Sequence, residues 1–239
     1  MPRKATIKDM ARIARVVLAG VAHHVTQRAI DRRQIFFDDS DYHVYLTGVI
    51  TTARRSQTEI LSYCLMPNHV HWIVVPHRED SLALTFREAH SKYSAYVNAK
   101  LGRSGHLWQN RYFSCAMDQG HLWAAMRYVE RNPVRAQIVQ DAPQFRWSSA
   151  AVHAGQTPYP EWLSSQPFAS TFNFGEWNIL LHADTPAEAD IELRKNTHTG
   201  RPLGDIHFVE HAQAITGRKL AGRAGKRAVL TTQASAAAS

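Results

Sequence analysis

The sequence predicts an α+β protein: a mixed, mainly antiparallel sheet packed with helices, followed by a C-terminal helical extension. Three observations predict it. Short runs rich in Val, Ile, Tyr and Trp read as strands. Longer runs with apolar residues three and four positions apart read as helices. The two kinds alternate in the order β, α, β, β, α, β, α, which lays helices on a sheet. Hydrophobic residues fill 44% of the 239 positions, enough for a real core, and this excludes a wholly disordered chain.

The first strand is expected at 22–28. Asp38, Asp39, Ser40 and Asp41 cluster as N-cap residues before a helix carrying Tyr42, Tyr45, Leu46 and Val49 and ending near Arg55. Two extended runs, 59–66 and 69–75, flank the Pro67-Asn68 turn and read as a β-hairpin. Ser81 opens a second helix, with Leu84, Phe86, Tyr93, Tyr96 and Val97 along it and Gly102 closing it. Residues 105–117 read as extended. A third helix starts near Gln119 and finishes near Arg131, because Pro133 disfavours helix at the residue before it. The core looks complete near Trp147, Ser148 and Ser149, and 155–174 reads as loop with Pro158, Pro160 and Pro167. Thr185, Pro186 and Glu188 form a capping box for a helix to about Asn196, and Asp205 caps a last helix that ends before Gly217. These signals divide the chain into a main domain (1–151), a helical extension (152–222) and a disordered basic, Ala/Ser-rich tail (223–239).

Charge narrows the partners. Lys and Arg outnumber Asp and Glu by 28 to 20, a formal net charge of +8, and a basic excess attracts polyanions, nucleic acid first. No apolar run approaches a membrane span, and Met1-Pro2-Arg3-Lys4 does not begin a secretory signal. Cys64 and Cys115 make no metal-ligand motif, and Cys64 sits in an apolar run as a small buried hydrophobe. The expected protein is cytoplasmic and disulfide-free, with no membrane partner and no organic cofactor.

His69-Val70-His71 carries the most chemical information. On a strand, two His separated by one residue point the same way, roughly 6.6 Å apart, while Val70, Trp72 and Val74 face a core. Such a pair offers a divalent ion two imidazoles on a rigid support. It is equally what a solvated strand face looks like, and with 14 His in the chain chance pairs occur. His23-His24 and His207 with His211 read as structural. Tyr128 and Asn132, four apart, share a helix face: a phenol that could act as nucleophile and an amide oxygen that could bind metal. Tyr93 and Tyr96 are the rival tyrosines, although neither has an amide one turn later before a Pro.

Four ordered segments together resemble one family. Residues 66–71 (Met66, Pro67, Asn68, His69, Val70, His71), 105–112 (with Trp108, Arg111 and Tyr112), 128–134 (Tyr128 to Val134) and 147–149 look like the REP-associated tyrosine transposases, single-tyrosine members of the HUH transposases and nucleases. The resemblance covers roughly 14–151 and extends weakly to 199–204. It implies an HUH-type sheet of ferredoxin-like or RRM-like plan. It implies that His69, His71 and Asn132 bind a divalent metal, Mg²⁺ or Mn²⁺, and that Tyr128 is the catalytic tyrosine. The implied reaction cleaves single-stranded DNA beside a hairpin, forming a 5′-phosphotyrosine bond and freeing a 3′-hydroxyl for later strand transfer. The implied partner is single-stranded DNA with a REP-like hairpin, bound by a monomer or homodimer. Because ligand imidazoles must be neutral, metal affinity should fall below about pH 6.5.

Around that site, Arg111, Arg127, Arg131 and Arg135 could grip phosphates, and Trp108 and Tyr112 could stack on unpaired bases, whereas Trp72 belongs to the core. One departure stands out: family members carry Gly-Asn after the first strand, where this chain has Ala29-Ile30, so a turn near the DNA could differ. Two other readings stay open on sequence: a non-catalytic binder of structured single-stranded DNA or RNA, and a zinc-stabilised regulatory domain. The missing four-ligand Cys/His set argues against the second.

Overall fold

The computed structural model describes residues 15–183 and 187–220. The expected basic tail, the basic residues Arg3, Lys4, Lys8 and Arg12, and the cap residues Thr185 and Pro186 lie outside the described residues.

Strand β1 (His23–Arg28) leads through a 3-10 turn (Ile30–Arg32) and a short irregular stretch to helix α1 (Asp39–Arg55). The acidic cluster does what its composition suggests: Asp38 and Asp41 cap each other's backbone N–H groups in a capping box. The hairpin β2 (Thr58–Met66) and β3 (His69–Pro76) follows, then α2 (Ser81–Lys100). Only Phe113–Ala116 of the expected extended segment is a regular strand, β4, with two further bridges, Trp108 to Ala29 and Met117 to Leu203. The sheet order is β2-β3-β1-β4 and every pairing among these strands is antiparallel. With its βαββαβ connectivity this is a ferredoxin-like α+β plan, and the sheet is antiparallel throughout rather than mixed.

Register decides which residues share a face, because side chains alternate along each strand. Val25 pairs with Trp72 and Tyr63 also pairs with Trp72. Trp72 meets Tyr45 of α1 and Phe86 of α2 at centroid distances of 6.2 and 6.3 Å. This face is a dense aromatic core. On the other face, Thr26 and Cys64 pair with His71, and Arg28 pairs with His69. Here the cover is α3 (Gln119–Glu130) and α8 (Ala187–Thr199), which packs along β4 and β1.

Asp118 caps α3 by accepting from His121 N–H at 2.9 Å. The helix ends at Glu130, as Pro133 demands, and the chain resumes in a single turn, α4 (Asn132–Arg135). Beyond it come α5 (Ala150–His153), α6 (Phe168–Thr171), α7 (Phe174–His182) and α9 (Ile206–Thr216). Helix α6 falls inside the stretch expected to be loop, and α7 begins at its last residue. The start of α7 is set by the Asn173–Glu176 capping box. Asp205 and a left-handed Gly217 bracket α9 as expected.

The Trp147-Ser148-Ser149 segment runs along β2. Leu65 N–H donates to the Trp147 carbonyl at 2.8 Å and Ser149 N–H to the Tyr63 carbonyl at 3.0 Å. Ser149 Oγ also donates to the buried Glu130 carboxylate at 2.6 Å. That carboxylate accepts in addition from Ser62 Oγ at 3.0 Å, Trp177 Nε1 at 2.8 Å and His153 Nδ1. Burial alone would raise the Glu130 pKa, but His153 and these donors outweigh it and hold the group ionised. Four side chains thus converge on the last residue of α3, two residues from Tyr128.

Candidate active site

The polar face of the sheet encloses a cavity of about 430 Å³. Its lining includes His24, His69, His71, Tyr128, Asn132 and Arg135. The expected ligand pair, nucleophile and amide therefore meet in one place, although no two of these elements are neighbours in sequence except α3 and α4. The His69 and His71 rings lie 5.0 Å apart, and the Tyr128 ring stands edge-on to His71 at 5.7 Å. Asn132 Nδ2 donates to the Tyr128 carbonyl at 3.0 Å, so the amide is fixed against the turn that bears the phenol.

Cations surround the phenol. Arg135 stacks on the Tyr128 ring at 3.9 Å, donates to Asn132 Oδ1 at 2.8 Å and pairs with Asp190 of α8 at 2.6 Å. Arg194 of α8 donates to the Tyr128 hydroxyl oxygen at 3.1 Å. Sequence reasoning missed Arg194, because α8 carries no recognisable motif and only the fold brings it here.

His24, expected to be structural, is part of the site. Its ring lies parallel to that of His71 at 5.1 Å, with Nε2 2.8 Å from His71 Nδ1. Its neighbour His23 does remain structural, bonding the Val21 carbonyl and the Leu18 N–H. Adjacent His residues on a strand must face opposite sides, so one of the pair was bound to join the His69 face. Which one depends on register. His207 is exposed beside Glu210, with no part in the site.

Burial keeps these imidazoles neutral. It lowers His69 to about 3, helped by Arg28 and Arg135, and lowers His24 to about 3, helped by His198 and Arg135. His71 is held well below its ordinary value by burial, then by His69, His24 and the same arginines. The expected loss of ligand capacity near pH 6.5 therefore moves to far lower pH. Two neutral imidazoles and one amide oxygen are a donor set that fits a divalent ion with room for substrate oxygens. Among the described residues, no group of three or more His, Cys, Asp or Glu is arranged to hold a metal; the third donor here is an amide.

The remaining expected contacts divide. Arg111, Trp108 and Tyr112 line a second cavity of about 960 Å³ against α2, away from the His pair. There Trp108 Nε1 donates to the His90 carbonyl at 3.2 Å and Tyr112 carries the Arg15 guanidinium on its ring at 3.8 Å. Arg127 is buried and donates to the carbonyls of Leu180 and Ala183, and Arg131 donates to that of Ala183 at 2.6 Å. Both tie α3 to the end of α7. The rival phenols lie on the aromatic face: Tyr93 donates to the Ile35 carbonyl at 2.6 Å and Tyr96 to Asp41 at 2.9 Å. Ala29 is extended at φ −65°, and the left-handed backbone falls on Asp31 and Arg32 instead, so position 29 does not call for glycine.

Residues 18–132 match the family described as IS200-like transposases. That match spans just under half of the chain, and through those residues the chain is similar to the IS200-like transposases. The chain shares its fold with a REP-associated tyrosine transposase solved bound to a REP hairpin. The two are 20% identical, with a TM-score of 0.53 over 65% of this chain and 92% of that one. A transposase-like protein of Deinococcus radiodurans is 15% identical over 54% and 94% of the two chains, with a TM-score of 0.35. No curated protein matches the chain. Among the described residues, no helix is long and apolar enough to cross a membrane.

Proposed function

We propose that this protein is a transposase that cleaves and rejoins single-stranded DNA beside a hairpin, with Tyr128 as nucleophile and His69, His71 and Asn132 as ligands of Mg²⁺ or Mn²⁺. The observation that carries this reading is the convergence of His69, His71, Tyr128 and Asn132 on one cavity. The hairpin-bound relative with the same fold supports the choice of substrate.

In this reading the Tyr128 oxygen attacks phosphorus, its proton leaves, the bond from phosphorus to the 3′-oxygen breaks, and the 3′-oxygen takes up a proton. A divalent ion, when bound, would polarise the phosphate and stabilise the departing oxygen. Arg194, already on the phenol oxygen, holds it in place and favours negative charge there as the proton leaves. Arg135 keeps the ring in one orientation and the Asn132 amide beside it. The phosphotyrosine bond conserves the energy of the broken linkage, so rejoining needs no nucleotide cofactor. Arg111, Trp108 and Tyr112 in the second cavity suit contact with DNA away from the reacting phosphate.

Labelled hairpin oligonucleotides drawn from DNA flanking the gene, incubated with Mn²⁺, test the proposal. An SDS-resistant protein–DNA adduct is expected with the wild type and not with Tyr128→Phe. Tight hairpin binding with no adduct would favour the non-catalytic binder instead. Full activity in excess chelator would sink the metal assignment.

A further inference from the structure

The least expected feature of the site is a buried hydrogen-bond chain that reaches it from α8, a helix beyond the residues the family matches. Thr197, His24 and His71 are each at least 95% buried. The direction of every bond in the chain follows from its far end. Thr197 Oγ1 lies 2.7 Å from the Leu193 carbonyl, and a carbonyl only accepts, so the hydroxyl proton points there. What Thr197 offers to His24 Nδ1, 2.8 Å away, is a lone pair. His24 Nδ1 therefore carries the proton of this neutral ring, and its Nε2 is bare. That bare nitrogen faces His71 Nδ1 at 2.8 Å, so His71 must donate. The proton of His71 thus sits on Nδ1, leaving Nε2 bare.

His69 reaches the same state by a separate route. Asn68 Nδ2 donates to the Arg32 carbonyl at 3.1 Å, which places its amide oxygen 2.6 Å from His69 Nδ1. Both ring protons are then on Nδ1 and both Nε2 lone pairs are available.

We propose that His24 is a positioning residue of the metal site, locked in one tautomer by Thr197, and that this chain makes α8 of the C-terminal segment a working part of the centre. The inference rests on His69 and His71 being metal ligands. If Thr197 loses its hydroxyl, His24 is free to carry its proton on Nε2 and donate to His71. His71 then holds its own proton on Nε2 and cannot bind metal. Partners that fix a ligand imidazole in this way typically change metal affinity 10–100-fold when lost.

Long-range ¹H–¹⁵N spectra of the metal-free, full-length protein report which nitrogen of each His is protonated, and calorimetric titration with Mn²⁺ reports affinity. The wild type should show His71 protonated on Nδ1. Thr197→Val, which keeps shape and removes the hydroxyl, should show mixed His71 tautomers and Mn²⁺ binding weaker by about 10–100-fold. Thr197→Ser should restore both. Wild-type His71 protonated on Nε2 overturns the proposal without any variant having to fold. So does a folded Thr197→Val with tautomer and affinity unchanged. Wild-type protein that binds no Mn²⁺ would sink the metal reading itself, and with it the role assigned to His24, before any variant is made.

Discussion

His71 and Trp72 are neighbours on β3, both buried, and they serve opposite sides of one sheet. On the Trp72 side the cover is α1 and α2, and stability comes from packed rings: Tyr45, Tyr63 and Phe86 all lie within 6.3 Å of the indole, centroid to centroid. On the His71 side the cover is α3 and α8, and the buried groups are imidazoles, a phenol and an amide held by directed hydrogen bonds around a cavity. Burial thus does different things a residue apart. On the first face it removes apolar surface from water. On the second it strips imidazoles of their protons and leaves them as neutral lone-pair donors.

Paired substitutions can break that contrast, and the largest effect is expected on the polar face. His71→Ala should slow adduct formation by about 10²–10⁴, because charge stabilisation of several kcal/mol is lost at tenfold per 1.36 kcal/mol. Trp72→Ala should instead destabilise the fold by about 3–5 kcal/mol in denaturant titration. If Trp72→Ala spared stability while His71→Ala unfolded the protein, the division of labour would be wrong.

Glu130→Gln sharpens the comparison, since it sits at the boundary of the two roles. It leaves His153 without its buried partner, and breaking such a pair typically costs about 3–5 kcal/mol. Loosened anchoring of α3 should then lower the rate of adduct formation more than hairpin affinity, which gel-shift and single-turnover assays separate.

The pH dependence of stability comes from both faces. His23 is lowered to about 4 and His90 to about 3, each by burial, as are His24 and His69. Between those values and the unfolded value near 6.5, the unfolded chain binds more protons than the folded one. Stability is therefore complete above about pH 6.5 and is lost as pH falls towards 4. The slope is up to about 1.4 kcal/mol per pH unit for each such His. Denaturant midpoints at pH 7.5, 6 and 5 check this, and a flat profile would mean these imidazoles are hydrated.

The smallest effect belongs to the second cavity. Arg111→Ala should weaken hairpin binding modestly and reduce the slope of log affinity against log salt by about 1, with the cleavage step unchanged. Salt titration of binding distinguishes this from a role in chemistry.

Much of the site was legible because its signals are local. The strand period puts His69 and His71 on one face, and the helix period puts Tyr128 over Asn132. The hairpin and the caps of α1 and α9 were equally plain. What escaped depends on long-range register or on burial. His24 acquires its role only when β1 pairs with β3, and Arg194 and Thr197 only when α8 lies over the sheet. Arg127 looked like a phosphate contact, yet burial turns its guanidinium to backbone carbonyls. Ser149 stood out as part of a motif, but its purpose, holding Glu130 under α3, lies in contacts no spacing reveals.

The most direct test of the central claim is to locate the covalent bond. After reaction with a hairpin oligonucleotide, nuclease trimming and trypsin digestion, mass spectrometry should find the nucleotide on the short peptide from Tyr128 to Arg131. A nucleotide on a peptide carrying Tyr93 or Tyr96 would contradict the assignment of the nucleophile. A tightly bound hairpin with no modified peptide at all would contradict the chemistry.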